Sequence, residues 1–128
     1  MDKGKKDNMD KFDKLDENTG ANNSENKLLS SLGLCARARA LIIGTPMVIE
    51  SLRKNGVGKP KLVLEASDTS ENTHKRIADK CAYYNVRLVR TEFSAAELSD
   101  AIGKKSSVAA VAICDVNFCK LMEKHIKA

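Results

Sequence analysis

Apolar residues recur along this chain in two rhythms, and the alternation between them predicts the architecture. Leu28, Leu29, Leu32, Cys35 and Ala36 fall at helical spacing. They predict a first helix from an N-cap at Ser24 to about Arg39. Leu41-Ile42-Ile43 then reads as a short strand that breaks at Gly44. Thr45 is the expected N-cap of the next helix and Pro46 its first residue, with Val48, Ile49 and Leu52 on one face. Asn55-Gly56-Val57-Gly58-Lys59-Pro60 stops that helix in a loop.

The second half repeats the pattern. Lys61–Ala66 is apolar-rich throughout, as a strand buried on both faces should be. Ser67-Asp68-Thr69-Ser70 is a turn full of capping side chains, and Glu71–Tyr84 follows as a helix with Ile77, Cys81 and Tyr84 inward. Val86–Arg90 reads as another strand. Ser94-Ala95-Ala96-Glu97 is a capping box, in which each side chain satisfies a free amide of the other's backbone. The helix it opens ends at Ile102-Gly103. Lys104-Lys105-Ser106-Ser107 forms a polar loop and Val108–Ile113 the last buried strand. Asp115 or Asn117 can cap a final helix carrying Phe118, Leu121, Met122 and Ile126. Strands alternating with helices in this way predict an α/β chain, a three-layer α/β/α sandwich with four short strands.

Residues 1–23 do not join this pattern. Met9, Phe12 and Leu15 are their only sizeable apolar groups among Asp, Lys and Asn. The expectation is a disordered charged tail at 1–23 and one folded domain at 24–128. Charge sharpens the division. Residues 1–26 hold five lysines and seven acids, a net of −2, which leaves 17 basic and 10 acidic residues, a net of +7, for the rest. A domain this basic fits an anionic partner, nucleic acid first.

Candidate chemistry is sparse. Cys35, Cys81, Cys114 and Cys119 show no C-x-x-C pairing, and neither His74 nor His125 sits at metal spacing from a cysteine. Four reduced thiols in a cytoplasmic protein, and no metal, are the expectation. Neither an apolar leader after Met1 nor a membrane-length run is visible. No dinucleotide, Walker or nucleophile-elbow motif occurs, so no enzyme and no cofactor are expected. Asp68 follows a buried strand, where α/β proteins bind ligands, but within Ser-Asp-Thr-Ser a capping role is expected. His74 and His125 read as surface residues near helix ends. Five aromatics in all give no stacking platform for RNA. Binding would rest on backbone shape, glycine turns and basic side chains. Gly44 with Thr45 is the first candidate, because a helix that opens behind a glycine offers free amides to a phosphate. Arg37 and Arg39 either complement the end of the first helix or clamp a phosphate.

The chain resembles the YlxQ-type branch of the kink-turn-binding ribosomal protein superfamily (L-seven-Ae and L-thirty-e type). The likeness is carried by Leu32-Gly33-Leu34-Cys35-Ala36-Arg37-Ala38, Lys61-Leu62-Val63-Leu64-Glu65-Ala66-Ser67-Asp68, Asp79-Lys80-Cys81-Ala82-Tyr83-Tyr84-Asn85-Val86 and Ala101-Ile102-Gly103-Lys104-Lys105. It implies an L-thirty-e-like sandwich on a four-stranded mixed sheet. It also implies a monomer that binds structured RNA, ribosomal or kink-turn-like, and associates with the ribosome or ribosomal proteins. The RNA face implied combines the turn at Gly44 and Thr45 with the loop Gly103, Lys104, Lys105, Ser106 and Ser107. Where kink-turn readers carry an Asn-Glu pair and then a lysine, this chain has Pro46, Met47 and Glu50, and Ser99-Asp100 replaces a Gly-Lys. Two expectations follow: an RNA binder with altered specificity, or a protein-interaction module that has lost kink-turn recognition.

Overall fold

The two fully buried strands occupy the middle of the sheet. The structure, a computed structural model, describes residues 23–126. Its strands are β1 (Leu41–Ile43), β2 (Leu62–Glu65), β3 (Arg87–Arg90) and β4 (Ala110–Ile113), in the order β1-β4-β2-β3. Every residue of β2 and β4 is buried, whereas edge strand β3 exposes Arg87 and Arg90. β4 pairs antiparallel with both β1 and β2, and β2 pairs parallel with β3. Strands β1, β2 and β3 therefore run one way and β4 the other.

That directionality gathers the connections. Helices α2 (Thr45–Leu52), α3 (Glu71–Tyr83) and α4 (Ala95–Ala101) each follow one of the three like-directed strands. All three consequently start at one end of the sheet, and the loop into β4 arrives there too. Helix α1 (Asn23–Arg37) and helix α5 (Val116–Glu123) complete the described elements, with a single 3-10 turn at Gly56–Gly58. Helix α1 packs on α4 and α5, and α2 packs on α3.

Two apolar layers result, one on each face of the sheet. Leu32, Leu62, Leu64, Leu98, Val111, Ile113 and Met122 form the larger. Val48, Leu52, Val63, Ile77, Cys81 and Ala112 form the other. Leu62 and Leu64 go to one face and Val63 to the other because side chains alternate along a strand. Truncating a fully buried leucine such as Leu32 or Leu64 would cost about 2–5 kcal/mol. The sandwich and its mixed four-stranded sheet are as expected.

Local capping corrects three details. Ser24 already lies inside α1, so it does not cap it. The helix ends at Arg37 rather than Arg39, because Arg39 takes a left-handed φ of 59°. The Ala40 amide then reaches Cys35 O (2.9 Å) and the Arg39 amide Ala36 O (3.0 Å), a Schellman closure with arginine where glycine is usual. Thr45 is the first residue of α2, not its cap; that place belongs to Gly44. The expected tail lies outside the described residues apart from Asn23, which opens α1.

Candidate functional site

Helix α2 starts without a side-chain cap. Gly44 has φ 96° and ψ 143°, a backbone state that an L side chain adopts only under strain. Its amide donates to Ala110 O of β4 (2.9 Å), and its carbonyl accepts the first intrahelical bond from Val48 (2.9 Å). No side chain reaches back to the first turn. Pro46 has no amide to satisfy, so the open donors are the amides of Thr45 and Met47. A Cβ on Gly44 would meet nothing within 4 Å, so a ligand can approach the bare main chain there.

The other helices that begin after a strand are closed. Ser70 accepts from Thr73 N on α3. Ser94 and Glu97 complete their capping box on α4, at 3.1 and 2.8 Å. Asp68 adds a bond to Ala95 N at 2.8 Å, which places its carboxylate in structural work. Asp115 Oδ1 accepts from Asn117 N (2.8 Å) and Phe118 N (3.0 Å) on α5.

The second loop adjoins the open turn through β4. Gly103 closes α4 with φ 78°, and Lys104 N donates to Ser99 O at 2.8 Å. Lys104, Lys105, Ser106 and Ser107 are all exposed. Buried Val108 then anchors the chain to Ala95 O, two residues before the carbonyl that holds Gly44. Arg37 and Arg39 sit elsewhere. Arg37 lies in a groove between α1 and α4 with Glu97 and Asp100. Arg39 lines a hollow with Cys114 and Asp115, at the opposite end of β1 from Gly44 and about 15 Å away at the usual strand rise. The structure thus brings Gly44 and Thr45 beside the end of the Gly103–Ser107 loop, and leaves the two arginines apart.

Around the turn, the substituted positions are at the surface. Met47 is 61% exposed. Glu50 is exposed and pairs with Arg53 at 3.5 Å.

Sequence reasoning missed one cluster. Glu65, the last residue of β2, is fully buried, and His74 Nδ1 lies 2.8 Å from both of its carboxylate oxygens. His74 is therefore a half-buried partner, not the free surface residue expected. The available signal was an acid inside an otherwise apolar buried strand, with a histidine on the first turns of the next helix.

Thiol chemistry has little support. Burial raises the Cys35 thiol to about 11, with Asp115 and Cys114 adding to it. Burial, then Glu65, raises Cys81 to about 11. A thiol needs its anion to act as nucleophile or ligand. Among the described residues, no three His, Cys, Asp or Glu side chains group closely enough to hold a metal, and no helix is long and apolar enough to cross a membrane.

Comparison with known proteins agrees with this fold. The model of the "Ribosomal protein L7Ae/L30e/S12e/Gadd45 family" matches residues 26–123. The chain is 42% identical over 87 residues to the "RNA-binding protein YlxQ" of Bacillus subtilis (strain 168), covering 68% of this chain and 82% of that protein. It is 38% identical over 101 residues to the protein of the same description from Enterococcus faecium, covering 79% and 92%. A solved structure of a protein of unknown function from Bacillus halodurans superposes with a TM-score of 0.69 at 31% identity, covering 77% of this chain and 95% of that one. The Giardia lamblia 15.5kD RNA binding protein shares the fold, with a TM-score of 0.65 at 17% identity over 80% and 84% of the two chains.

Proposed function

Because the chain belongs to the ribosomal protein L7Ae/L30e/S12e/Gadd45 family, we propose that it is a non-enzymatic binder of structured RNA, ribosomal or kink-turn-like, with altered specificity. The observation that carries this reading is the uncapped start of α2, held by Ala110 O on the strand that the Gly103–Ser107 loop leads into. Free amides at a helix N-terminus favour phosphate, and two exposed lysines add charge. The names of the YlxQ relatives support the same partner.

Altered specificity rests on the chemistry at the turn. Pro46 offers neither an amide donor nor an amide side chain, and Met47 no carboxylate to accept from a base edge. Glu50 and Asp100 are exposed anions that repel phosphate. Each base contact absent is worth about 1–3 kcal/mol of discrimination, so the remaining affinity comes mainly from the phosphate backbone. In this reading the protein is a cytoplasmic monomer acting on or beside the ribosome. Gel shifts with kink-turn RNA, ribosomal RNA fragments and transfer RNA across a salt series test it. Binding should strengthen as salt falls; no shift with any of the three at low salt ends the proposal.

A second reading, a protein-interaction module without RNA recognition, draws on exposed Met47 and on Glu50. Under it, the triple change Pro46→Asn, Met47→Glu and Glu50→Lys creates kink-turn binding that the native chain lacks. Equal binding by both proteins rules it out.

A further inference from the structure

Among the described residues, Glu65 is the one charged side chain with no solvent contact. It shares the α2–α3 face of the sheet with Val63, two residues before it. His74 Nδ1 sits 2.8 Å from each of its oxygens, and Arg90 Nε is 3.9 Å from Oε2. The Arg90 guanidinium also donates through Nη2 to Ser67 O (3.0 Å) and Thr69 O (3.4 Å), tying down the loop that leads into α3. An ionised carboxylate only accepts hydrogen bonds, so Nδ1 carries the hydrogen in this contact. Nε2 is then an acceptor in the neutral ring and becomes a donor only in the imidazolium.

The ring joins this buried anion to the surface, since the His74 side chain is 35% exposed. Its position on that surface follows from the register. Glu65 pairs with Ala110, and Ala110 O accepts the Gly44 amide. Two strand spacings, about 10 Å, separate the Glu65 backbone from Gly44. Helices α2 and α3 pack together on that face. His74 therefore stands on the same face and at the same end of the sheet as the open α2 turn.

We propose that His74, held by Glu65, is a protonation-dependent contact for the RNA phosphate backbone at this end of the sheet. The proposal rests on the RNA-binding reading above. When the imidazolium forms, the Glu65–His74–Arg90 group passes from neutral to a net charge of +1, and Nε2–H can donate to a phosphate oxygen. Other ionisable groups stand nearby, beginning with exposed Lys75, which follows His74 directly on α3. Exposed Glu71 lies one turn back on α3, Asp68 is bonded to Ala95 N, and burial, then Glu65, raises the Cys81 thiol to about 11. The first turn of α2, Thr45–Val48, has no ionisable side chain. One further neutralised phosphate steepens the dependence of log K on log salt by about 0.7–0.9.

The test is fluorescence anisotropy of the full chain with labelled transfer RNA at about pH 5.5 and about pH 8, which span the range where histidine changes charge. The native protein should bind several-fold tighter in acid, with the steeper salt slope there. The chain has only two histidines, so variants separate their contributions. His74→Gln, which keeps a donor for Glu65, and Glu65→Gln should both flatten the pH response. His125→Gln should keep it. Circular dichroism checks that each variant is folded; should Glu65→Gln unfold, His74→Gln alone decides. An undiminished pH response in folded His74→Gln overturns the proposal. Absence of binding at either pH and low salt overturns the RNA-binding reading instead.

Discussion

Helices α2 and α4 begin at the same end of the sheet and treat their free amides in opposite ways. At α4, Ser94, Glu97 and Asp68 supply three side-chain bonds from two segments of chain. At α2 no side chain helps, and a glycine in a conformation that other residues adopt only under strain leaves the space above the turn open. A capped end contributes stability, about 1 kcal/mol for each good cap. An uncapped end forgoes that contribution and leaves its donors to an outside acceptor. The difference separates an end that the molecule closes on itself from an end whose amides it leaves open.

The largest effect expected from breaking this contrast is at Gly44. Gly44→Asp would strain the turn by about 1–3 kcal/mol and put a carboxylate over the amides. Urea denaturation should show that loss, and RNA affinity should fall about tenfold or more, equivalent to at least 1.4 kcal/mol. Native-like affinity in this variant would show that the open turn is not where RNA binds. Next comes the pair Lys104→Glu with Lys105→Glu. It should reduce the slope of log K against log salt by about 0.9 for each phosphate no longer neutralised and leave the urea midpoint nearly unchanged. Arg39→Glu, at the far end of β1, is its comparison and should move the slope much less.

Smaller effects sharpen the closed side. Ser94→Ala should cost about 1 kcal/mol of stability with RNA affinity intact; a parallel loss of binding would mean that the two ends are not separable. Smallest is Arg39→Gly. A left-handed φ of 59° suits glycine better than arginine, so the change should raise stability by about 0.5–1 kcal/mol, read as a higher urea midpoint.

Much of this arrangement was legible in the residues. The capping box at Ser94 and the cap at Asp115 are written in local spacing, and the structure forms both. The buried strands announce themselves as apolar runs. What escaped was non-local. Thr45 is a good cap by type, but Gly44 is drawn onto Ala110 O, and that bond moves the helix start by one residue. Arg39 gave no sign of a left-handed turn, because the Schellman bonds that hold it are made by the backbone. Glu65 reads only as part of the apolar Lys61–Ala66 run; the placement of α3 over it and of β3 beside it shows a buried acid with its own partners.

The strand order carries one more consequence, for how the molecule comes into being. β4, the last of the described strands in chain order, inserts between β1 and β2 and supplies the carbonyl that fixes Gly44. A nascent chain stopped before Ala110 has its earlier strands without their central partner, and its α2 turn lacks the brace from below. Pairing across such long separations is slow to form. The braced form of the α2 turn therefore arrives late in synthesis, only once β4 is in place.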